Sequence, residues 1–209
     1  MRPLPPGAMD PNAEHYSPSA WFTPSGDLLA WVRTTFIDEG AALQNPEHAH
    51  LEYADLAFLW AGVPNSKKGR TVLGTAETCP PQVTAGKWLK GRIEQQLVGW
   101  FSSMPDFLIT LDANYALECS DMQFCALVEH ELLHCAQEQD EYGAPKFTQE
   151  GLPKFGIRGH DVEEFASVVR RYGAPDVETA AFIQAGQQAP EIGAASVARA
   201  CGTCLRGVA

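Results

Sequence analysis

Val128-Glu129-His130-Glu131-Leu132-Leu133-His134 is the stretch on which the reading of this chain turns. It holds the pattern His-Glu-x-x-His inside a run of helical periodicity. Ser120 is placed to cap that helix and Asp121 lies in its first turn, while Phe124, Leu127, Val128 and Leu132 form an apolar stripe. Helical residues four apart stand one above the other, so the imidazoles of His130 and His134 can reach a single metal ion. Glu131 directly follows the first histidine, where its carboxylate can take a proton from a metal-bound water. The arrangement predicts a zinc-dependent hydrolase. A random chain of this length would carry the pattern on the order of once in a few hundred. The competing reading is a half-buried amphipathic helix whose histidines merely hydrogen-bond.

A catalytic zinc usually takes three protein ligands and keeps a fourth position for water. The third is sought in Gly159-His160-Asp161-Val162-Glu163-Glu164-Phe165, where His160, Glu163 and Glu164 are the candidates. His160 is preferred, and Glu164, one turn further along the same face, is its substitute. The 25 residues between His134 and His160 give the chain ample length to return. Glu163 and Glu164 also suit a helix's first turn, where acids complement the dipole, and Asp161 could orient a ligand from behind it. Tyr142, Arg158 and Tyr172 are candidates to stabilise an oxyanion or bind substrate, though each also reads as a surface or packing residue. His48 and His50 fall in a polar connection and read as an inert, exposed pair.

Outward from the motif, residues 107–111 form the clearest strand and lead through residues 112–118 into the metal helix. A sheet edge beside such a helix can hold an extended peptide by β-addition. Residues 56–60 and 71–76 read as further strands that could pair across the basic turn Lys67-Lys68-Gly69-Arg70. Residues 21–37 read as a helix with Ser25 as its cap, whereas residues 87–101 fit either period. Beyond His134 a polar segment runs through residues 137–159. A second helix is expected over residues 161–172, stopped by Gly173 and Pro175. These elements divide the chain into a flexible lead-in (1–20), a catalytic domain (21–175) and a tail (176–209) with a helix through Phe182 and the pair Cys201 and Cys204.

The formal charge of −11 and pI near 4.9 disfavour broad binding to phosphate backbones, which needs a basic face. No run approaches the roughly 18 consecutive apolar residues of a membrane span, and the first residues lack an apolar signal core. The expected location is therefore the cytoplasm. The six cysteines then read as reduced thiols rather than a disulfide framework. Cys201-x-x-Cys204 is half of a structural zinc site or a redox pair, and the favoured reading is two non-ligating thiols.

His130-Glu131-Leu132-Leu133-His134-Cys135, followed by His160-Asp161-Val162-Glu163-Glu164-Phe165 and Arg171-Tyr172-Gly173, resembles the putative phage metallopeptidase family. It is more distantly similar to SprT-like zinc proteases, in which a downstream His before a Phe-containing helix supplies the third ligand. The resemblance covers about residues 51–173, including a Gly-containing strand around Gly74, although His160 and Phe165 are five apart where SprT-like proteins typically have four. It implies a small zincin-like α+β fold. A short mixed or antiparallel sheet would pack on the His-Glu-x-x-His helix and on a second, ligand-bearing helix. It also implies a phage or prophage origin, placing the protein in the host cytoplasm. The expected activity is Zn²⁺-dependent hydrolysis of peptide bonds, with a peptide or protein substrate and no membrane or nucleic-acid partner. Two alternatives stand beside it: a catalytically silent, zinc-stabilised binding protein, and a SprT-like, DNA-associated protease.

Overall fold

The computed structural model describes residues 1–6, 21–67, 69–162, 169, 173–174 and 176–193. In chain order the elements are β1 (Phe22–Pro24) and α1 (Gly26–Val32), the latter continued by a π-helical turn (Arg33–Ile37). A 3₁₀ helix (Pro46–Tyr53), β2 (Leu56–Ala61), β3 (Asn65–Lys67), β4 (Arg70–Val72) and β5 (Gly74–Thr78) follow. Then come α2 (Lys87–Phe101), β6 (Phe107–Asp112), α3 (Ala113–Glu118), α4 (Asp121–His134), β7 (Cys135–Gln137), β8 (Phe155–Ile157) and α5 (Val177–Gly186).

Alternation along the two central strands separates two apolar layers. Leu56, Phe58 and Trp60 of β2 and Phe107, Ile109 and Leu111 of β6 share a core with Leu28 and Val32 of α1 and Phe124, Leu127, Val128 and Leu132 of α4. The intervening Ala57, Leu59 and Leu108 point the other way and meet Leu97, Ile93 and Trp100 of α2. A strand buried on both faces reads as a continuous apolar run, as residues 56–60 do. The same packing makes residues 87–101 a helix: Ile93, Leu97 and Trp100 recur at helical spacing and need a sheet face to cover. Each large side chain fully buried in the main layer contributes about 1.5–3 kcal/mol, so the sheet and α4 form one rigid support.

The main sheet has the order β1-β2-β6-β5. β2 and β6 are parallel, and β1 and β5 flank them antiparallel, so the sheet is mixed and the class α+β. Residues 71–76 are not one strand paired with β2. Both edges of β2 are already taken, by β1 and β6. The segment divides at Leu73: β4 folds back on β3 across a turn with Gly69 at φ +74°, and β5 pairs with β6. Residues 22–24 likewise leave the expected helix for the sheet. Ser25 caps α1 by accepting from the Leu28 amide, which puts the residues before it outside the helix.

α4 begins with a capping box in which the Ser120 and Gln123 side chains each serve the other's backbone amide. The first residues of the chain are tied to this same end. Arg2 donates to Asp121 Oδ1 at 2.7 Å and to the carbonyls of Ala116 and Cys119 at 2.6 and 2.8 Å, with its guanidinium over the Phe124 ring. Within the expected lead-in Arg2 is thus anchored, because three acceptors and an aromatic face hold one cation. Residues 137–159 form a long antiparallel arm, with β7 paired to β8 and single bridges at Gln139–Pro145 and Phe147–Pro153. The expected second helix, with Glu163, Glu164 and Tyr172, lies outside the described residues except for Asp161, Val162 and Val169, as do Cys201 and Cys204. Among the described residues no helix is long and apolar enough to cross a membrane.

Candidate metal centre

His130 and His134 stand one turn apart near the end of α4, and His160 arrives on the strap that follows β8. The β7–β8 pairing brings the strap back. The Arg158 amide donates to the His134 carbonyl at 2.9 Å, and His134 Nδ1 donates to the Arg158 carbonyl at 2.7 Å. A carbonyl can only accept, so the proton of a neutral His134 ring sits on Nδ1 and leaves the Nε2 lone pair for a cation. His134 is buried, His130 half-buried and His160 exposed, so the centre opens to solvent on one side.

The Nε2 atoms of His130 and His134 lie 3.3 Å apart and those of His130 and His160 lie 3.1 Å apart. The ring centroids form a nearly equilateral triangle of 5.0, 5.0 and 5.1 Å. Tetrahedral zinc with bonds of about 2.0–2.1 Å separates its nitrogen ligands by about 3.3–3.4 Å. The three ligand atoms, all within 4.8 Å of one another, fit such an ion. Hydrogen bonding alone accounts for this less well, because a single ring N–H between two neighbouring lone pairs can serve only one of them. A shared cation could serve all three.

Glu131 directly follows His130 on α4. Its side chain is fully buried against β5, where Gly74 lies opposite Leu111 on the face that meets α4. A Cβ placed on Gly74 would stand 2.7 Å from Glu131 Oε1 and 2.9 Å from its Cγ. The carboxylate occupies the space that any other residue at 74 would fill. A glycine inside a strand is a recognised sign of close approach, and this is the one sequence signal that could have located the contact.

The histidines open into a cleft of about 420 Å³. Glu47, Arg158 and Asp161 form its charged wall, and Leu133, Val162 and Phe182 its apolar one. Neither Glu131 nor Tyr142 is among the residues lining it; Tyr142 sits exposed on the turn of the β7–β8 arm. Arg158 donates to Asp161 Oδ1 and, at 3.2 Å, to Glu47 Oε2. Its pKa rises above the ordinary guanidinium value, first through the hydrogen bond to Asp161.

His48 and His50 are not an exposed pair. They belong to the 3₁₀ helix, where His48 is 1 % exposed and neither of its ring nitrogens has a hydrogen-bond partner among the described residues. Burial, with the neighbouring His50 second, lowers its pKa to about 4. His50 Nε2 donates to the Cys135 carbonyl at 2.7 Å, fixing the 3₁₀ helix to the start of β7. The described cysteines, Cys79, Cys119, Cys125 and Cys135, are free. Burial raises the pKa of each, that of Cys79 to about 12, so they are protonated, apolar fillers at neutral pH rather than thiolate ligands.

No curated protein and no solved structure matches the chain, so the SprT-like likeness is not carried by these comparisons. A family model described as "Putative phage metallopeptidase" does match, over residues 29–186. That span runs from within α1 to the last residue of α5 and takes in the three converging histidines. With about three quarters of its length matched, the chain belongs to the putative phage metallopeptidase family.

Proposed function

We propose that the protein is a zinc metallopeptidase that hydrolyses peptide bonds, with His130, His134 and His160 as the metal ligands and Glu131 as the general base. The observation that carries this reading is the triangle of imidazoles, with Nε2 atoms 3.1 and 3.3 Å apart, directly beside a glutamate on the same helix. When bound, zinc would polarise the scissile carbonyl and lower the pKa of a water toward about 7. The Glu131 carboxylate takes a proton from the attacking water and returns it to the leaving amine. The wall of Gly74 keeps that carboxylate in one place, and the hydrogen bond from His134 Nδ1 to the Arg158 carbonyl keeps the ring oriented. Glu47 and Asp161 make one side of the cleft acidic, which with the net charge of −11 favours a peptide over a nucleic acid.

In Glu131→Gln, cleavage should fall by at least about a thousandfold while zinc stoichiometry stays unchanged, since an isosteric amide cannot accept the proton. Full turnover in that variant would remove Glu131 from the chemistry. One observation favours a second reading, a metal-stabilised binding protein that cleaves nothing: Glu131 does not line the cleft. Zinc retained at one ion per chain, with no cleavage of a diverse peptide library, would decide for it.

A further inference from the structure

We infer that Arg158 is a positioning residue for the metal centre, holding two of its three ligands at once, rather than an oxyanion donor. The inference rests on the metal-site reading above and adds a residue to it. Through its main chain Arg158 makes a reciprocal pair of hydrogen bonds with His134, amide to carbonyl at 2.9 Å and carbonyl from Nδ1 at 2.7 Å. Through its side chain it grips Asp161, the residue directly after His160. The other arm of the guanidinium reaches Glu47 Oε2 at 3.2 Å, and Glu47 belongs to the 3₁₀ helix, a separate part of the fold. That helix is itself fixed, by His50 to the Cys135 carbonyl and by Asn45, which precedes it and donates to Glu129 of α4 at 3.0 Å. The guanidinium is a planar fork suited to two carboxylates, a task that a lysine ammonium performs without directional control.

The geometry solves a particular problem. His160 is exposed and sits on an irregular strap, with no helix or strand of its own to fix it. An exposed ligand loses conformational freedom when it binds a metal, and a strap already tied on both sides of the ring loses less. Arg158 provides one tie two residues before His160, through β8 and His134, and a second one residue after it, through Asp161. Its charge is matched by Glu47 and Asp161, so it stands beside the expected dication without being an unpaired cation there.

The sign of one measurement separates this role from simpler ones. Removing a positive charge near a metal site would, by Coulomb's law alone, tighten binding of a dication. Loss of a positioning residue loosens it. Zinc affinity of the full chain should be measured by competition with a chromogenic chelator for wild type, Arg158→Ala, Arg158→Lys and Glu47→Gln, with circular dichroism of each metal-free protein to verify folding. The expected result is about ten- to hundredfold weaker zinc binding in Arg158→Ala, a smaller loss in Glu47→Gln, and incomplete recovery in Arg158→Lys. Unchanged or tighter zinc binding in folded Arg158→Ala would overturn the inference, as would a loss of turnover at unaltered zinc affinity, which is the signature of an oxyanion donor. Should Arg158→Ala fail to fold, Arg158→Lys carries the comparison: it keeps the charge and loses the planar fork, so weaker zinc binding there supports the inference and unchanged binding overturns it. If wild type itself binds no zinc, the metal-site reading fails first; if wild type binds and the variants match it, only the role of Arg158 fails.

Discussion

Gly74 shows how much of the proposed catalytic arrangement depends on a missing side chain. A methyl group there would need the space of the Glu131 carboxylate, 2.7 Å from its nearest oxygen. Gly74→Ala should therefore lower turnover tenfold or more, leave zinc stoichiometry intact and cost about 1–3 kcal/mol of stability through overpacking. Steady-state kinetics with metal analysis checks it, and unchanged turnover would mean that the carboxylate does not need its present location. His48 gives a prediction of a different kind. Its folded pKa of about 4 lies below the 6.5 of an exposed histidine. Between those values the unfolded chain binds the extra proton, so this contribution is complete above pH 6.5 and is lost as pH falls toward 4. Burial is the main cause; the adjacent His50 adds to it and Glu47 opposes it. The loss amounts to at most about 3 kcal/mol. Denaturant unfolding of metal-free wild type and His48→Leu at pH 7 and pH 4.5 should give a smaller drop for the variant, whereas equal drops would place the sensitivity elsewhere. At this scale the sequence discloses local relations well. The spacing of His130 and His134 is a property of one helix, and His160 stands out as an imidazole with enough chain to return. The contact of Gly74 with Glu131 and the two-sided hold of Arg158 join segments 57 and 111 residues apart, and no local pattern encodes them.

Among the elements, α4 bears the most constraint, and its beginning is secured twice. The capping box of Ser120 and Gln123 is written in the sequence, whereas the anchoring of Arg2 is not, because its partners are 114 to 119 residues away. Arg2→Ala removes a buried hydrogen bond to a carbonyl, a second carbonyl contact, an exposed-partner ion pair and a cation–π contact. The side chain is about nine-tenths buried, so most of the cost comes from the carbonyls. A destabilisation of roughly 1–3 kcal/mol is expected in urea unfolding, and no change would show that the first residues do not brace the helix. Strands were legible where both faces are apolar, as in β2 and β6, and α2 was not, since aromatic and aliphatic residues on a half-exposed helix satisfy either period. The pairing of β5 with β6 instead of β2 was also hidden. Pairing depends on which edges are already filled, and that follows from β1, a three-residue strand too short to announce itself.

For the whole molecule, the centre joins parts that the sheet alone does not hold together: α4, the strap beyond β8, the 3₁₀ helix and, through Phe182, α5. The α+β class and the order of strand, His-Glu-x-x-His helix and returning histidine could be read from the chain. The three-dimensional meeting of the cleft walls could not, because Glu47, Arg158 and Phe182 come from three separated segments. The central claim is that three imidazoles share one zinc ion, and X-ray absorption spectroscopy of zinc-loaded protein tests it most directly. Three imidazole nitrogens and one further light atom, at about 2.0–2.1 Å, are predicted, falling to two imidazoles in His160→Ala. A sulfur shell near 2.3 Å, or a spectrum that His160→Ala leaves unchanged, would contradict the account.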